Sequence, residues 1–352
     1  MLLPCQNQIY IFTILHLYDI INIEQRSFLR DGKRGIVLQN TVFSETDFNP
    51  YFLGIDGGGT KTVFRLTNEN GTIYKELYKG SSNPNDIGME NAIQLLREGI
   101  TEVCEQIPYE AITLFAGISG GGMTGENASV LKRFFGEFGF YAFDNGSDLE
   151  NLIALAGENT AVLVIMGTGF IVYVLNGAKR KRIAGWGQFF DEGGSGYTIG
   201  KDVIIAALCE TDGSGEKTVL SSLLEKRVGE SAESHLAEFY RGGKRYIAEF
   251  ASLAFEAAEL GDSVALGILE KNMSFAAQKI RTAMREFTET EQTKIPVFFA
   301  GGITKRRGLL FPMIEKHLSD SRAFLTVIKG EPIEGAVKRA FTIFEERQKG
   351  NQ

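Results

Sequence analysis

The sequence predicts an α/β protein with two domains and a ligand cleft between them. Its 352 residues exceed what one compact core usually holds, and two domains of ordinary size create a cleft that suits a small ligand. From residue 51 onward, strand-like runs alternate with helical segments, which is typical of α/β folds. A unit of strand, glycine turn and strand at 51–66 returns at 160–175, which indicates a weak internal repeat at the scale of a domain.

The predicted elements follow the hydrophobic pattern along the chain. In the first half they are strands at 51–56, 62–66 and 111–116 and helices at 89–106, after 120–122 and at 149–156. In the second half they are strands at 160–165, 171–175, 295–300 and 324–328, helices at 247–260 and 264–287, a helix after 301–302, and a last helix from Ile333. The basic run 179–182 follows an Asn-Gly hairpin turn and is predicted to be a solvated edge.

We place the domain boundaries where this pattern changes. Residues 1–48 are predicted to be a poorly ordered extension outside the catalytic fold, because the residues after the apolar run 9–18 show no sustained period. That run is too short to span a bilayer, and the first cation, Arg26, comes too late for a secretory signal. The predicted domains are 49–158 and 159–352, the second with a helical insertion and a final helix that packs back on the first.

Composition and charge exclude several classes of function. Charged residues make up 23% of the chain and the formal net charge is -7, so there is no basic field to hold a nucleic acid or an anionic membrane. The cysteines Cys5, Cys104 and Cys209 are far apart and indicate neither a metal site nor a disulfide framework. The three histidines share no metal-ligand spacing. These features favour a cytoplasmic protein with a small-molecule substrate.

The segment 54–62 predicts a phosphate-binding hairpin. Consecutive glycines with flanking hydroxyl groups allow backbone N–H groups to close around a phosphate. It is neither a Walker loop nor a dinucleotide fingerprint, because a strand follows where those motifs open a helix. Asp56, at the entry to the loop, is a candidate to hold Mg²⁺ through water. The alternative is a tight hairpin that binds nothing.

Two further glycine segments are candidates for nucleotide binding. Gly167-Thr168-Gly169 would form a second phosphate hairpin, with the hydroxyl and N–H of Thr168 directed at the transferred phosphate. The segment 300–305 closes a strand and opens a helix, so its backbone can approach adenine and ribose closely. Taken alone, Gly167-Thr168-Gly169 is better explained by a plain turn, and the segment 300–305 is equally compatible with a simple strand-to-helix turn.

A carboxylate and an aromatic loop are candidates for catalysis and sugar binding. Asp148 precedes Gly167 by 19 residues and begins a predicted helix, so it is either a helix cap or a general base that orients a sugar hydroxyl. The segment 185–195 brings the single Trp186 beside the carboxylates Asp191 and Glu192, which suits a sugar but also a turn with a buried tryptophan. Asn83 lies in a polar loop with hydrogen-bonding capacity for sugar hydroxyls.

Taken in this order, the motifs resemble those of the BadF/BadG/BcrA/BcrD-type ATPase family, within the actin/hexokinase/Hsp70 superfamily, and most closely its N-acetylglucosamine kinases. The resemblance covers residues 51 to 345 and includes Pro332-Ile333-Glu334-Gly335-Ala336. It implies an actin-like ATPase (ribonuclease H-like) fold, ATP and Mg²⁺ as cofactors, and a homodimer. The implied catalytic base is Asp148; the implied ATP-binding residues are Gly57, Gly58, Gly59, Thr60, Lys61, Gly167, Thr168, Gly169, Gly301, Gly302 and Lys305. The implied sugar-binding residues are Asn83, Ser119, Gly120, Gly185, Trp186, Asp191 and Glu192.

The reaction that this resemblance implies is phosphorylation of an amino sugar, N-acetylglucosamine, at its 6-hydroxyl. The sequence departs from the family pattern G-D-E-G-S-G-Y: without a gap Glu192 takes the place of the aspartate, and with a shift of one residue Asp191 does. Glucosamine and N-acetylmuramic acid therefore remain alternative substrates. The alternative functions are an ATPase that activates a partner enzyme and a sugar sensor without enzymatic activity.

Overall fold

The computed structural model describes residues 49–121, 125–287 and 293–350. The prediction for residues 1–48 lies outside this part of the chain. Residues 50–352 belong to one compact unit. Within the described ranges, no helix combines the length and the apolar character that a membrane span requires.

The first sheet is mixed and has the strand order β3-β2-β1-β4-β5. Its strands are β1 (Tyr51–Gly57), β2 (Thr62–Asn68), β3 (Ile73–Lys79), β4 (Ile112–Ile118) and β5 (Ala142–Gly146). The first three are joined as antiparallel hairpins, whereas β1, β4 and β5 run parallel. Every residue of β4 is buried, as expected for a parallel strand covered on both faces.

The second sheet repeats the first, with the order β10-β9-β6-β7-β8. Its strands are β6 (Thr160–Met166), β7 (Phe170–Asn176), β8 (Lys179–Arg182), β9 (Ile295–Ala300) and β10 (Ala323–Val327). Again the first three pair antiparallel, and β9 and β10 lie parallel to β6. The internal repeat that the glycine turns predicted is thus a repeat of the whole five-stranded sheet, and β8 is the predicted edge.

Eleven helices lie in the described part of the chain. They are α1 (Pro84–Ile87), α2 (Met89–Cys104), α3 (Glu126–Gly136), α4 (Asp148–Ala156), α5 (Gly196–Asp212), α6 (Val219–Val228), α7 (Leu236–Glu249), α8 (Ala251–Glu259), α9 (Ser263–Met284), α10 (Arg307–His317) and α11 (Pro332–Gly350). Side chains cap several of them: Asp262 accepts from an N–H in the first turn of α9, and Ser195 and Thr198 form a reciprocal capping box at α5.

Two helix boundaries differ from the sequence prediction. The helix expected across 247–260 is divided at Phe250, which lies between α7 and α8 and whose ring is buried. The helix expected directly after the glycines at 120–122 begins at Glu126 instead, because Gly120 and Gly125 both have positive φ and cannot continue a right-handed helix.

The last helix packs against the first sheet. Phe341 of α11 stacks on Phe52 of β1 with ring centroids 3.6 Å apart. At Gly335 the helix passes so close to α4 that a Cβ would overlap the carbonyl oxygen of Asn151. The glycine of the P-x-x-G-A element therefore permits a close crossing of two helices. Since α11 follows β10 of the second sheet, this crossing connects the two halves of the compact unit.

Candidate active site

The predicted phosphate loop lies at the carboxyl ends of β1 and β4. In the turn between β1 and β2, the N–H of Gly58 donates to the carbonyl oxygen of Lys61 over 2.9 Å. The N–H of Ser119, directly after β4, donates to the carbonyl oxygen of Gly57 over 2.7 Å. Parallel strands end at the same edge of their sheet, so a predicted phosphate residue and a predicted sugar residue are in direct contact.

Asp148 joins this edge from the first turn of α4. Ser147 occupies the cap position, and Asp148 is the first helical residue. Burial raises the pKa of the Asp148 carboxyl, and the hydroxyl of Ser119 and the N–H groups of Leu149 and Asp148 itself, which donate to the carboxylate, oppose this rise. The carboxylate therefore has the local contacts of a helix start and a hydroxyl contact to Ser119.

Asp56 lies beside Asp148 and is held by a buried amide. Asn151, one helical turn after Asp148, donates from Nδ2 to Oδ1 of Asp56 over 2.8 Å. The pKa of Asp56 is raised to about 6, mainly because burial disfavours the carboxylate; Asn151 lowers it, Asp148 raises it and Lys61 lowers it. The negative charge of Asp148 is thus close enough to disfavour ionisation of Asp56.

Asn83 and Gly120 form a polar corner next to the same loop. The Asn83 side chain caps α1 by accepting from the N–H of Asn85 over 3.0 Å, and it donates to Asp86 over 2.8 Å. A Cβ on Gly120 would overlap Oδ1 of Asn83, so the glycine permits this approach. The second amide, Asn85, is a further hydrogen-bonding group that the sequence analysis did not select.

The second glycine hairpin has the same geometry at the end of the second sheet. The N–H of Gly167 donates to the carbonyl oxygen of Gly169 over 2.9 Å, and Thr168 is exposed at the tip. Gly301, which follows β9 with φ of 99°, lies against Met166, where a Cβ would overlap the carbonyl oxygen. The predicted phosphate turn and the predicted adenosine segment are thus in contact.

The loop that carries Trp186 is organised by Asp191. The Asp191 carboxylate is buried and accepts from the N–H of Gly187 over 2.9 Å and, more weakly, from that of Gly185 over 3.4 Å. Trp186 is 58% exposed, and the guanidinium of Arg182 lies 4.2 Å from the centre of its ring. The alternative of a turn with a buried tryptophan is therefore wrong.

Two predicted residues lie apart from these contacts. Glu192 is exposed and lines a groove of about 330 Å³ with Lys271 and Phe275 of α9, so it does not share the loop contacts of Asp191. Lys305 is exposed in a short 3₁₀ turn before α10 and makes no ion pair within the described ranges. Their assigned roles stay predictions.

The residues present fit a nucleotide. A Cβ added at Gly167 or at Gly302 would meet no described atom within 4 Å, so there is open space beside the second hairpin and the adenosine segment. At the first hairpin, the partly buried carboxyl of Asp56 supplies oxygen, the ligand atom that Mg²⁺ prefers. Among the described residues, no group of three or more His, Cys, Asp or Glu could hold a metal ion.

Sequence reasoning missed Asn151, which positions Asp56. Its signal was the spacing of three residues from Asp148, which brings both side chains to one face of a helix. It also missed Ser82, a buried residue whose Oγ would overlap a Cβ on Gly57. No local pattern indicates Ser82, because its role depends on a contact between separate segments.

Comparison with known proteins identifies a family and several relatives of this chain. The profile of the BadF/BadG/BcrA/BcrD ATPase family matches residues 53–338. An N-acetylmuramic acid/N-acetylglucosamine kinase from Clostridium acetobutylicum is 31% identical over 285 residues, which is 76% of this chain and 90% of the relative. An N-acetyl-D-glucosamine kinase from Dictyostelium discoideum is 28% identical over 289 residues, 77% of this chain and 90% of the relative.

Solved structures show the same fold. A Chromobacterium violaceum protein assigned as an N-acetylglucosamine kinase superposes with a TM-score of 0.64 at 23% identity, covering 84% of this chain and all of the other. A ROK family glucokinase from Streptomyces griseus, solved with glucose and AMPPNP, superposes with a TM-score of 0.55 at 14% identity, covering 84% and 99%. These likenesses confirm the predicted two-domain actin-like fold.

Proposed function

This chain belongs to the BadF/BadG/BcrA/BcrD ATPase family, and on that premise we propose that it is an ATP-dependent kinase that phosphorylates an amino sugar at its 6-hydroxyl. The sugars on which its relatives act make N-acetylglucosamine the first candidate, with N-acetylmuramic acid and glucosamine as alternatives. The observation that carries the proposal is the contact of Asp148 with Ser119, directly beside the glycine hairpin that follows Asp56.

In the proposed reaction, Asp148 orients the 6-hydroxyl and accepts its proton while the hydroxyl oxygen attacks the γ-phosphorus of ATP in line. The bond from the γ-phosphorus to the β–γ bridging oxygen breaks, and ADP leaves. Burial raises the pKa of this carboxyl, and the hydroxyl of Ser119 opposes that rise, which favours the ionised form that a base needs. The N–H groups of the two glycine hairpins would carry phosphate charge. Asp56 would hold Mg²⁺ through water, and the ion would supply further neutralisation of the phosphate charge.

The sugar would lie between the corner of Asn83 and Gly120 and the loop of Trp186. Asn83 carries both a donor and an acceptor, and the ring of Trp186, which the guanidinium of Arg182 also contacts, is exposed enough to pack against a sugar ring. Because Asp191 accepts hydrogen bonds from N–H groups of its own loop, we propose that it shapes the sugar site by holding this loop in place. The domains 49–158 and 159–352 would close on both substrates and exclude water.

The proposal also includes a cytoplasmic homodimer. Cys104 and Cys209 are free thiols, which fits a reducing compartment. The rival activator ATPase would need thiolates for an iron–sulfur cluster. Cys104 is buried among apolar side chains that raise its pKa to about 12, so it is a poor source of a thiolate.

The test is ADP release from Mg·ATP with N-acetylglucosamine, N-acetylmuramic acid, glucosamine and glucose. Loss of a general base costs about 10²- to 10⁴-fold in kcat, which we expect for Asp148→Asn. The matched control is Asp144→Asn, an aspartate four residues earlier that pairs with Lys132 at the surface. Hydrolysis that no sugar accelerates would favour the activator ATPase, and equal activity of Asp148→Asn would remove the base.

A further inference from the structure

A lysine of the helical insertion lies at the second glycine hairpin. The Nζ atom of Lys244 is 3.5 Å from the position that a Cβ would take on Gly169, the last residue of the turn that begins at Gly167. Lys244 belongs to α7, 75 residues further along the chain by its numbering. The tertiary fold thus adds a cation to a turn whose own sequence has none.

The backbone holds Lys244 in this place. α7 contains a break at Gly243, whose φ of 63° and ψ of -161° are far from helical values. The part of α7 after the break is fixed against α5: a Cβ on Gly200 would overlap the carbonyl oxygen of Ile247, and one on Gly196 would lie 3.4 Å from the carbonyl oxygen of Ala248. Gly196 in turn donates its N–H to Gly167 over 2.7 Å. Lys244 therefore starts a helical segment that is anchored beside the hairpin.

Lys244 has no counter-ion in the described ranges, although it is half-buried. Lys271 of α9, in contrast, pairs with Asp202 at 3.1 Å. A partly desolvated ammonium without a partner is unfavourable, and an anion in the open space beside Gly167 would remove this cost.

We propose that Lys244 binds the β- and γ-phosphates of the nucleotide at the Gly167–Gly169 turn. This inference rests on the proposed ATP site. Lys61 supplies a cation at the first hairpin, where it acts on Asp56, and Lys244 supplies the corresponding cation at the second. A nucleoside triphosphate keeps a net negative charge with one Mg²⁺ bound, so one ammonium at each hairpin matches the charge that remains.

The experiment measures nucleotide affinity in the full-length protein by calorimetry with Mg·ATP, Mg·ADP and AMP. A charge-assisted hydrogen bond corresponds to about a 10- to 100-fold change in Kd, which we expect for ADP and ATP in Lys244→Ala and Lys244→Gln. The affinity for AMP should stay within about twofold, because AMP lacks both phosphates. The KM for ATP should rise while the KM for the sugar does not, and Lys244→Arg should recover part of the affinity.

The matched control is Arg245→Ala, which removes the neighbouring exposed cation and should leave all three affinities unchanged. If the Lys244 variants lose affinity equally for ADP and AMP, or lose affinity for neither, the inference is overturned. Thermal unfolding verifies that each variant is folded. If the wild-type protein binds Mg·ADP but phosphorylates no sugar, the proposed kinase activity is contradicted. The affinity measurements on the Lys244 variants still decide whether Lys244 binds the phosphates. A wild type that binds no nucleotide overturns both proposals.

Discussion

Replacing Asp56 with asparagine should raise the stability of the ligand-free protein at neutral pH while lowering its activity. In the folded protein the pKa of Asp56 is raised from 3.8 to about 6. The folded state therefore binds this proton more tightly than the unfolded state. The stabilising contribution of the protonated carboxyl is complete below pH 3.8 and is lost as the pH rises through about 6.

The magnitude follows from that difference in proton affinity. The pKa of Asp56 differs by about two units between the folded and unfolded states, and each unit corresponds to about 1.4 kcal/mol. The ionised carboxylate therefore lowers the free energy of unfolding at pH 8 by at most about 3 kcal/mol. Asp56 is only partly buried, so solvent screening reduces this to about 1–2 kcal/mol. In the Asp56→Asn variant, the new amide would keep an oxygen that accepts from Asn151, so the existing hydrogen bond at 2.8 Å needs no replacement.

The assay is urea unfolding from pH 4 to pH 8 with EDTA and without nucleotide. The free energy of unfolding of Asp56→Asn should exceed that of the wild type by about 1–2 kcal/mol at pH 8, and this difference should shrink toward pH 4. Asp144→Asn is the control, since it neutralises a surface carboxylate of β5. A difference that does not change with pH, or an Asp56→Asn variant that is less stable at pH 8, would refute the argument from burial.

Other predictions concern the base and the helix crossing. Ser119→Ala removes a hydroxyl that lowers the pKa of Asp148, so the acidic limb of the kcat profile should move to higher pH while activity at pH 9 changes little; an unmoved limb would contradict this contact. Gly335→Ala should destabilise the fold by about 2–4 kcal/mol in urea unfolding, because the new Cβ would overlap the carbonyl oxygen of Asn151. Gly267→Ala, within α9 and with no atom within 4 Å of the new Cβ, is its control and should stabilise by about 0.5–1 kcal/mol.

Several parts of the fold could be predicted from the sequence because they depend on neighbours along the chain. The strand predicted at 295–300 is Ile295–Ala300, since a short buried run between turn residues has few alternatives. The glycine turns at Gly57 and Gly167 mark hairpins for the same local reason. The division of a predicted helix at Phe250 could not be found in this way, because helical periodicity continues on both sides of this residue.

By itself, the sequence determined the α/β class and the two glycine hairpins, because each depends on residue types at short spacing. The roles of the nucleotide segments and of Asp148 as a base rest on the resemblance to the family and stay predictions. Tertiary structure alone decided which groups surround those residues. It brought Asn151 to Asp56, directed Asp191 into its own loop, and placed Lys244 at Gly169. Contacts between distant segments arise from packing of strands and helices, and no local pattern of side chains records them.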